Sequence, residues 1–447
     1  MKRCTPFSLL FVVLLLILVA CGSRDSGTLE TIVPEESAPA SEMANPAEAS
    51  GVESGDVPPP PPEGGEKMAE VRGDAVVEAE SVVAESPRSA DEDTAVAPAE
   101  PVVNQNSQLT AGEVDDNAQW DDYLLYLRNY SGASVIRLDV SERHQIWVQD
   151  SQGRPVLGAK IDVVANGQTV ATLRSGSNGR ALFFPRTLPT QADLYTLNIT
   201  VASQTETLQI PADTVQREWF VIHPGADQLP ATTQLDILFL IDATGSMSDE
   251  INQLKENIRT ISGQINALPS QPAVRFGMVT YRDRGDSYLY DVTDFTPDIN
   301  EFARTLANVS ANGGGDYPED LNEAFSQAIH GVEWRVEDTV SLIFLVADAP
   351  PHLDYGQQNH YGVEVMEALA RGIKVYPIAS SGLDEQGEYI FRQLAQITGG
   401  RFIFLTYGDT GPGSAGTETT FNVSDYSVSA LDDLVVRIVE EELSYRQ

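Results

Sequence analysis

The stretch that most constrains the fold of this 447-residue chain is Leu235–Ser248, which reads LDILFLIDATGSMS. Its apolar run from Ile237 to Ile241 is unbroken and stops at Asp242. A short continuous apolar run bounded by a turn is typical of a strand buried on both faces, as in a parallel sheet covered by helices. The sequence therefore places Asp242 at the carboxyl end of a strand, which is the edge where open α/β sheets bind ligands.

The sequence after this strand alternates between apolar runs and amphipathic segments. The helix that begins near Met247 carries apolar residues at helical spacing, so one face is expected to pack on the sheet. Further strands are predicted at 274–281, 288–295, 340–347, 374–379 and 401–405, and helices at 299–309, 321–331, 363–371, 386–398 and 430–443. This alternation predicts an α/β doubly wound, Rossmann-like domain over residues 231–447.

Residues 116–230 show a different pattern, with short alternating runs such as VIRLDV, HQIWVQD and YTLNITV. Turn signals, including Asn166-Gly167 and Asn178-Gly179, separate several of these runs. Short strands with such turns predict an all-β antiparallel sandwich. The segment VQDSQGRPVLGAKIDVVANGQ resembles Ig-like and transthyretin-like domains. No residue of this region suggests chemistry, so a structural role is expected.

The amino terminus has the charged start and short apolar run of a secretory signal, predicted at residues 1–20. It ends in Leu-Val-Ala-Cys, which resembles the lipobox of bacterial lipoproteins. That resemblance implies cleavage before Cys21 and lipidation of this cysteine. The chain has only two cysteines, Cys4 and Cys21, so the predicted exported part contains no disulfide. The expected location is the bacterial cell envelope, with a lipid anchor in a membrane outside the cytoplasm.

Residues 21–115 are rich in Ala, Pro, Glu and Ser, with five prolines at Pro58–Pro62, and they sustain no hydrophobic period. Such a segment cannot bury enough apolar surface to offset chain entropy, which predicts a disordered acidic tether. The net charge of the whole chain is −38. Phosphate binding needs clustered Lys and Arg, so nucleic acid is not an expected partner.

The loop after the first strand of the α/β domain carries three oxygen side chains on alternate residues. Asp242, Thr244 and Ser246 form D-x-T-x-S, a set that suits a small hard cation. The segment GGGDYPED at Gly313–Asp320 and the segment LIFLVADAPPH at Leu342–His352 follow in the chain. In this order, the three segments resemble the metal-ion-dependent adhesion site of von Willebrand factor type A domains.

That resemblance implies that the hydroxyls of Thr244 and Ser246 bind a divalent ion directly and that Asp242 acts through water. Asp348 matches the family's acid at the end of the later strand, and Asp316 stands where the family normally has a threonine. Three carboxylates around two positive charges are expected to tighten metal binding and to weaken attraction for an acidic partner. Pairing of Asp316 with a base such as Arg282 is an alternative. Mg²⁺ is the expected ion, with Ca²⁺ or Mn²⁺ left open.

His352, Asp354 and His360 follow Asp348 closely, but their spacing matches no usual zinc pattern, so a role at the rim of the site is favoured. The resemblance implies a binding protein, not an enzyme, that captures a protein or surface ligand through its metal. The alternative is a metal-independent structural or assembly factor of the envelope. A hydrolase that uses the region of His352 is a weaker third hypothesis.

Overall fold

The computed structural model describes residues 110–227, 233–406, 419–423 and 427–445. The predicted signal peptide, Cys21 and the tether up to residue 109 lie outside the described residues. The strands are β1 (Thr110–Val114), β2 (His144–Gln149), β3 (Lys160–Ala165), β4 (Gln168–Arg174), β5 (Arg180–Phe183), β6 (Leu194–Val201), β7 (Gln204–Pro211), β8 (Glu218–Ile222), β9 (Gln234–Asp242), β10 (Ala273–Tyr281), β11 (Tyr290–Thr296), β12 (Thr339–Ala347), β13 (Ile373–Ala379), β14 (Phe402–Leu405) and β15 (Ser427–Ala430). The helices are α1 (Trp120–Asn129), α2 (Ser248–Asn266), α3 (Ile299–Ala307), α4 (Leu321–His330), α5 (Tyr361–Arg371), α6 (Glu385–Thr398) and α7 (Leu431–Ser444).

The largest sheet has the strand order β11-β10-β9-β12-β13-β14-β1-β15. Its inner strands β10, β9, β12, β13 and β14 are parallel, whereas β11 runs antiparallel to β10. The predicted strands and helices of this domain agree with the observed ones to within about two residues. The α/β part of the predicted fold is therefore confirmed.

Helices cover both faces of this sheet. Along β9, the side chains of Ile237 and Phe239 pack in one apolar cluster with α2, α3 and α7. Leu238 and Leu240 point the other way and pack in a second cluster with α4, α5 and α6. Burial on both faces explains why the run is continuously apolar.

One strand of the sheet comes from the end of the predicted tether. The sequence predicts a tether that extends to residue 115, but Thr110–Val114 forms β1 and pairs antiparallel with both β14 and β15. Glu113 on this strand forms ion pairs with Arg401 and with Arg437 of α7. The α/β sheet therefore begins before the β-sandwich in the chain and is completed after it.

The β-sandwich between β1 and β9 consists of one sheet with the order β4-β3-β6-β7 and another with the order β5-β2-β8. The four-stranded sheet is antiparallel, as predicted. In the smaller sheet β2 pairs antiparallel with β5 but parallel with β8, which the prediction of an antiparallel sandwich did not include. The chain passes through the other sheet between β2 and β8, so no hairpin forces these two strands to run in opposite directions.

A buried polar network joins the sandwich to the α/β sheet. Glu442 of α7 accepts hydrogen bonds from Lys374 Nζ at 2.7 and 2.8 Å and from Tyr376 Oη at 2.9 Å, both on β13. Ser177 of the sandwich donates to the same carboxylate at 2.5 Å.

Throughout the part of the chain described here, each helix is too short or too polar to cross a membrane.

Candidate metal site at the carboxyl edge of the sheet

The carboxyl ends of three neighbouring parallel strands bring acidic residues to one edge of the sheet. Strand β9 ends at Asp242, β10 is followed by Asp283 after one intervening residue, and β12 is followed directly by Asp348. Backbone hydrogen bonds join the loops, because Ala243 N donates to Tyr281 O at 2.8 Å. The strand order therefore converts distant segments of sequence into one cluster of side chains.

The loop that contains the three glycines packs directly on the loop after β9. Gly245 N donates to Gly313 O at 3.1 Å, and Asn312 N donates to Ala243 O at 3.0 Å. Gly313 and Gly314 have φ values of +84° and +72°, which favour glycine. A side chain on Gly314 would begin 2.8 Å from Thr244 Cβ, so glycine is required for this close approach.

Polar contacts within the loop after β9 join three of the five predicted site residues. Thr244 donates to Asp242 Oδ1 from its backbone N at 2.9 Å and from its hydroxyl at 2.7 Å. The hydroxyls of Thr244 and Ser246 lie 3.5 Å apart. The contacts thus run from Asp242 through Thr244 to Ser246, and Ser246 also lowers the pKa of Asp348.

The electrostatic environment of this chain of contacts is strongly negative. Burial raises the pKa of Asp242 to about 7, and the negative charge of Asp348 adds to this effect, whereas the hydrogen bonds from Thr244 oppose it. Burial also raises the pKa of Asp348, against the hydrogen bond from Ser246. Near neutral pH, Asp242 is therefore poised to exchange a proton for a metal cation.

Glu319 is a buried acid of this edge that the sequence analysis did not assign. Burial, followed by the charges of Asp242 and Asp283, raises its pKa to about 9. Its Oε1 lies 2.7 Å from the point where a side chain on Gly314 would begin, close to Thr244. Glu319 lies within the GGGDYPED segment, but nothing in the sequence distinguishes this acid from the neighbouring Asp316 and Asp320.

The fifth predicted residue, Asp316, is exposed and belongs to a different group of side chains. It offers a carboxylate oxygen to a cluster with Asp283 and His352, in which the ligand atoms lie within 4.8 Å of one another. Within the described ranges, Asp316 does not form such a group with Asp242 and Asp348. The roles of the five predicted residues as ligands of one ion stay predictions.

The alternative partner suggested for Asp316 is engaged elsewhere. Arg282 is buried and donates from Nε to Ala243 O at 3.1 Å and from Nη2 to Ser310 O at 2.8 Å. It also donates from Nη1 to the hydroxyl of Ser287. The arginine thus holds the loops together, and its three nitrogen atoms all have oxygen partners other than Asp316.

Two buried oxygens without hydrogen-bond partners indicate that this edge of the sheet fits a divalent cation. Asp242 Oδ2 and Glu319 Oε2 are buried, and neither has a hydrogen-bond partner among the residues that the structure describes. A buried carboxylate oxygen without a partner is costly, and a cation bound by oxygen ligands removes that cost. Hydroxyls, carboxylates and water are the ligands that Mg²⁺ and Ca²⁺ prefer.

The α/β part of the chain is similar to a known protein family. Residues 236–407 match the family model described as von Willebrand factor A domain. Similar curated proteins include alpha-protein kinase vwkA of Dictyostelium discoideum, 31% identical over 129 residues that make up 27% of this chain and 19% of the relative. A putative ariadne-like RING finger protein, R811, of Acanthamoeba polyphaga mimivirus is 26% identical over 188 residues, 38% of this chain and 18% of the relative.

The human von Willebrand factor A domain-containing protein 7 is 32% identical over 123 residues, 28% of this chain and 13% of that protein. This chain thus spans less than about a fifth of the length of each of these relatives. The similarity is therefore one of a single domain. The α/β part of the chain, over residues 236–407, is a von Willebrand factor A domain.

Proposed function

We propose that this chain is an envelope-anchored binding protein that captures a protein or surface ligand through a divalent cation, Mg²⁺ in the first instance. The observation that carries the proposal is that Asp242 Oδ2, in the loop that carries the hydroxyls of Thr244 and Ser246, and Glu319 Oε2 are both buried without a hydrogen-bond partner among the described residues. When bound, the ion supplies an electrophilic position that an oxygen of a partner can fill.

The protein's own residues prepare this position. Thr244 fixes one oxygen of Asp242 with two hydrogen bonds, which leaves Oδ2 of that carboxylate for the ion or its water. Ser246 is exposed, and its hydroxyl lies 3.5 Å from that of Thr244. Asp242 and Thr244 are almost completely buried, so Ser246 marks the side from which a partner approaches.

A titration of the purified full-length chain with Mg²⁺, followed by calorimetry, tests the metal. We expect a binding heat in the parent protein and a loss of binding of at least about tenfold in Asp242→Ala, because this carboxylate has no replacement in the first loop. Asp249→Ala, an exposed acid in the first turn of α2, is the matched control and should retain the heat. Equal heats in the parent and in Asp242→Ala would exclude the metal model.

A metal-independent assembly factor is the second candidate function. The raised pKa of Asp242 favours it at acidic pH, because the carboxyl can then keep its proton and the loop needs no cation. Sensitivity to chelator separates the two functions. Envelope proteins retained by the immobilised chain in Mg²⁺ should be released by EDTA if the metal holds them, and Asp242→Ala should retain none.

The anchoring part of the proposal rests on the sequence Leu-Val-Ala-Cys that ends at Cys21 and on the acidic, Pro-rich segment after it. We propose that this cysteine carries the lipid in a bacterial envelope membrane and that the segment is a spacer. In a bacterial host, Cys21→Ser should lose metabolic labelling with palmitate and leave the membrane fraction, whereas Cys4→Ser should keep both. Labelling that persists in Cys21→Ser would contradict lipid attachment at this residue.

A further inference from the structure

Three loops bring one imidazole and two carboxylates together beside the first loop. Asp283 follows β10, Asp316 lies in the loop before α4, and His352 lies in the loop after β12. Their ligand atoms lie within 4.8 Å of one another. Asp283 and His352 are buried, whereas Asp316 is exposed, so solvent reaches the group at Asp316.

The imidazole of His352 is oriented by its neighbours. Its Nδ1 lies 2.7 Å from Asp354 Oδ1, and this carboxylate can only accept, so Nδ1 carries the proton. The ring stacks on Tyr355 with 3.8 Å between centroids and 9° between planes. An imidazole held through one nitrogen by a carboxylate presents the lone pair of its other nitrogen, an arrangement that recurs around metal-binding histidines.

The other nitrogen of His352 has nothing to bind in the part of the chain described. The side chain is 5% exposed, and its Nε2 lies 3.7 Å from Asp283 Oδ1. That distance is too long for a hydrogen bond, and Nε2 has no other partner among the described residues. A buried ring nitrogen aimed at a carboxylate but out of contact with it leaves room for an atom that binds both.

The carboxylate of Asp283 is held in a similar way. Tyr355 Oη lies 3.0 and 2.8 Å from its two oxygens, and one hydroxyl proton cannot satisfy both. Arg284 lies over the Tyr355 ring at 3.9 Å, so the tyrosine that supports both His352 and Asp283 is itself fixed. The two buried groups are thus preorganised, and the exposed Asp316 is free to complete the set.

We propose that Asp283, Asp316 and His352 bind a second divalent ion, of the transition-metal class such as Zn²⁺ or Mn²⁺, next to the site of the first loop. A nitrogen ligand separates this class from Mg²⁺ and Ca²⁺, which prefer oxygen. Three protein ligands leave coordination positions for water on the exposed side. The second ion also neutralises Asp316, so the first ion keeps its attraction for an acidic partner.

The experiment uses Co²⁺ as a spectroscopic probe on the full-length chain, stripped with chelator and then saturated with Mg²⁺. We expect one equivalent of Co²⁺ to bind with visible d–d absorption. His352→Gln and Asp316→Asn should each weaken this binding at least about tenfold, and Asp354→Asn should weaken it by about tenfold through the lost support of the imidazole. Asp316 and Asp354 are exposed, so these two variants report on the site even where His352→Gln fails to fold.

Asp242→Asn distinguishes this inference from the proposed function. It should lose the Mg²⁺ heat and keep the Co²⁺ absorption, whereas His352→Gln should do the reverse. Unchanged Co²⁺ affinity and spectrum in His352→Gln would overturn the second site. If that variant does not fold, unchanged Co²⁺ binding in both Asp316→Asn and Asp354→Asn would do the same, without bearing on Mg²⁺.

Discussion

Replacing Asp242 with asparagine is expected to make the chelator-treated protein more stable above pH 7, while removing its stabilisation by Mg²⁺. Asp242 is fully buried, and its pKa rises from the ordinary 3.8 to about 7. Between these values the folded protein holds a proton that the unfolded chain releases, so stability falls as pH rises through the interval. Above pH 7 the buried charge of Asp242 lowers the free energy of unfolding by an amount on the order of 4 kcal/mol, because each unit of the pKa difference corresponds to about 1.4 kcal/mol.

Thermal unfolding at pH 5.5 and pH 8.5, with chelator or with Mg²⁺, measures this effect. At pH 8.5 in chelator the midpoint of Asp242→Asn should exceed that of the parent by several degrees, and at pH 5.5 the gap should narrow. Mg²⁺ should raise the midpoint of the parent at pH 8.5 but not that of the variant. The variant Asp249→Asn removes an exposed carboxylate and serves as the control. A lower midpoint for Asp242→Asn at pH 8.5 in chelator would show that the charge at Asp242 is already compensated without metal.

Much of the α/β domain could be predicted because its signals are local. A strand buried on both faces, such as β9, is apolar throughout, and a helix that covers the sheet, such as α2, has one apolar stripe. Strand β1 has neither signal. Its sequence, TAGEV, is short, and its partner β14 lies almost three hundred residues away, so only the tertiary structure shows that it completes the sheet.

In the candidate site, too, contacts within one loop could be predicted from the sequence, whereas contacts between loops could not. The chain of contacts from Asp242 to Ser246 lies within one loop, so the spacing of the residues already carried the information. The loop before Asp316 contains two glycines with positive φ, Gly313 and Gly314, and sequence alone does not give those angles. The spacing of His352, Asp354 and His360 matches no usual zinc pattern, so the sequence favours a position of His352 at the rim of the site. The structure places it beside Asp283 and Asp316, which no spacing along the chain could reveal.

Removing the charge of Arg392 is expected to be the most destabilising single change at the junction between the amino-terminal segment and the α/β domain. Arg392, on α6, donates to both oxygens of Asp116 at 3.0 and 2.5 Å and to Glu388 Oε1 at 3.2 Å. All three side chains are buried, and the guanidinium lies 3.9 Å from the centre of the Tyr126 ring of α1. Arg392→Met should lower the free energy of unfolding by about 3–5 kcal/mol, because it leaves two buried carboxylates without a counter-charge.

Denaturant unfolding of the full-length chain at pH 7 measures this loss, and two comparisons test its cause. Lys160→Met breaks an ion pair with Asp162 on the surface of the sandwich and should cost less than about 1 kcal/mol. Combining Arg392→Met with Asp116→Asn and Glu388→Gln should recover much of the stability, because the loss arises from uncompensated charge more than from lost contacts. Burial already raises the pKa of Asp116 and of Glu388, so the loss should also shrink as the pH falls and these carboxyls take up protons. A loss for Arg392→Met no larger than that for Lys160→Met would mean that water reaches this network and that packing alone holds α1 against α6.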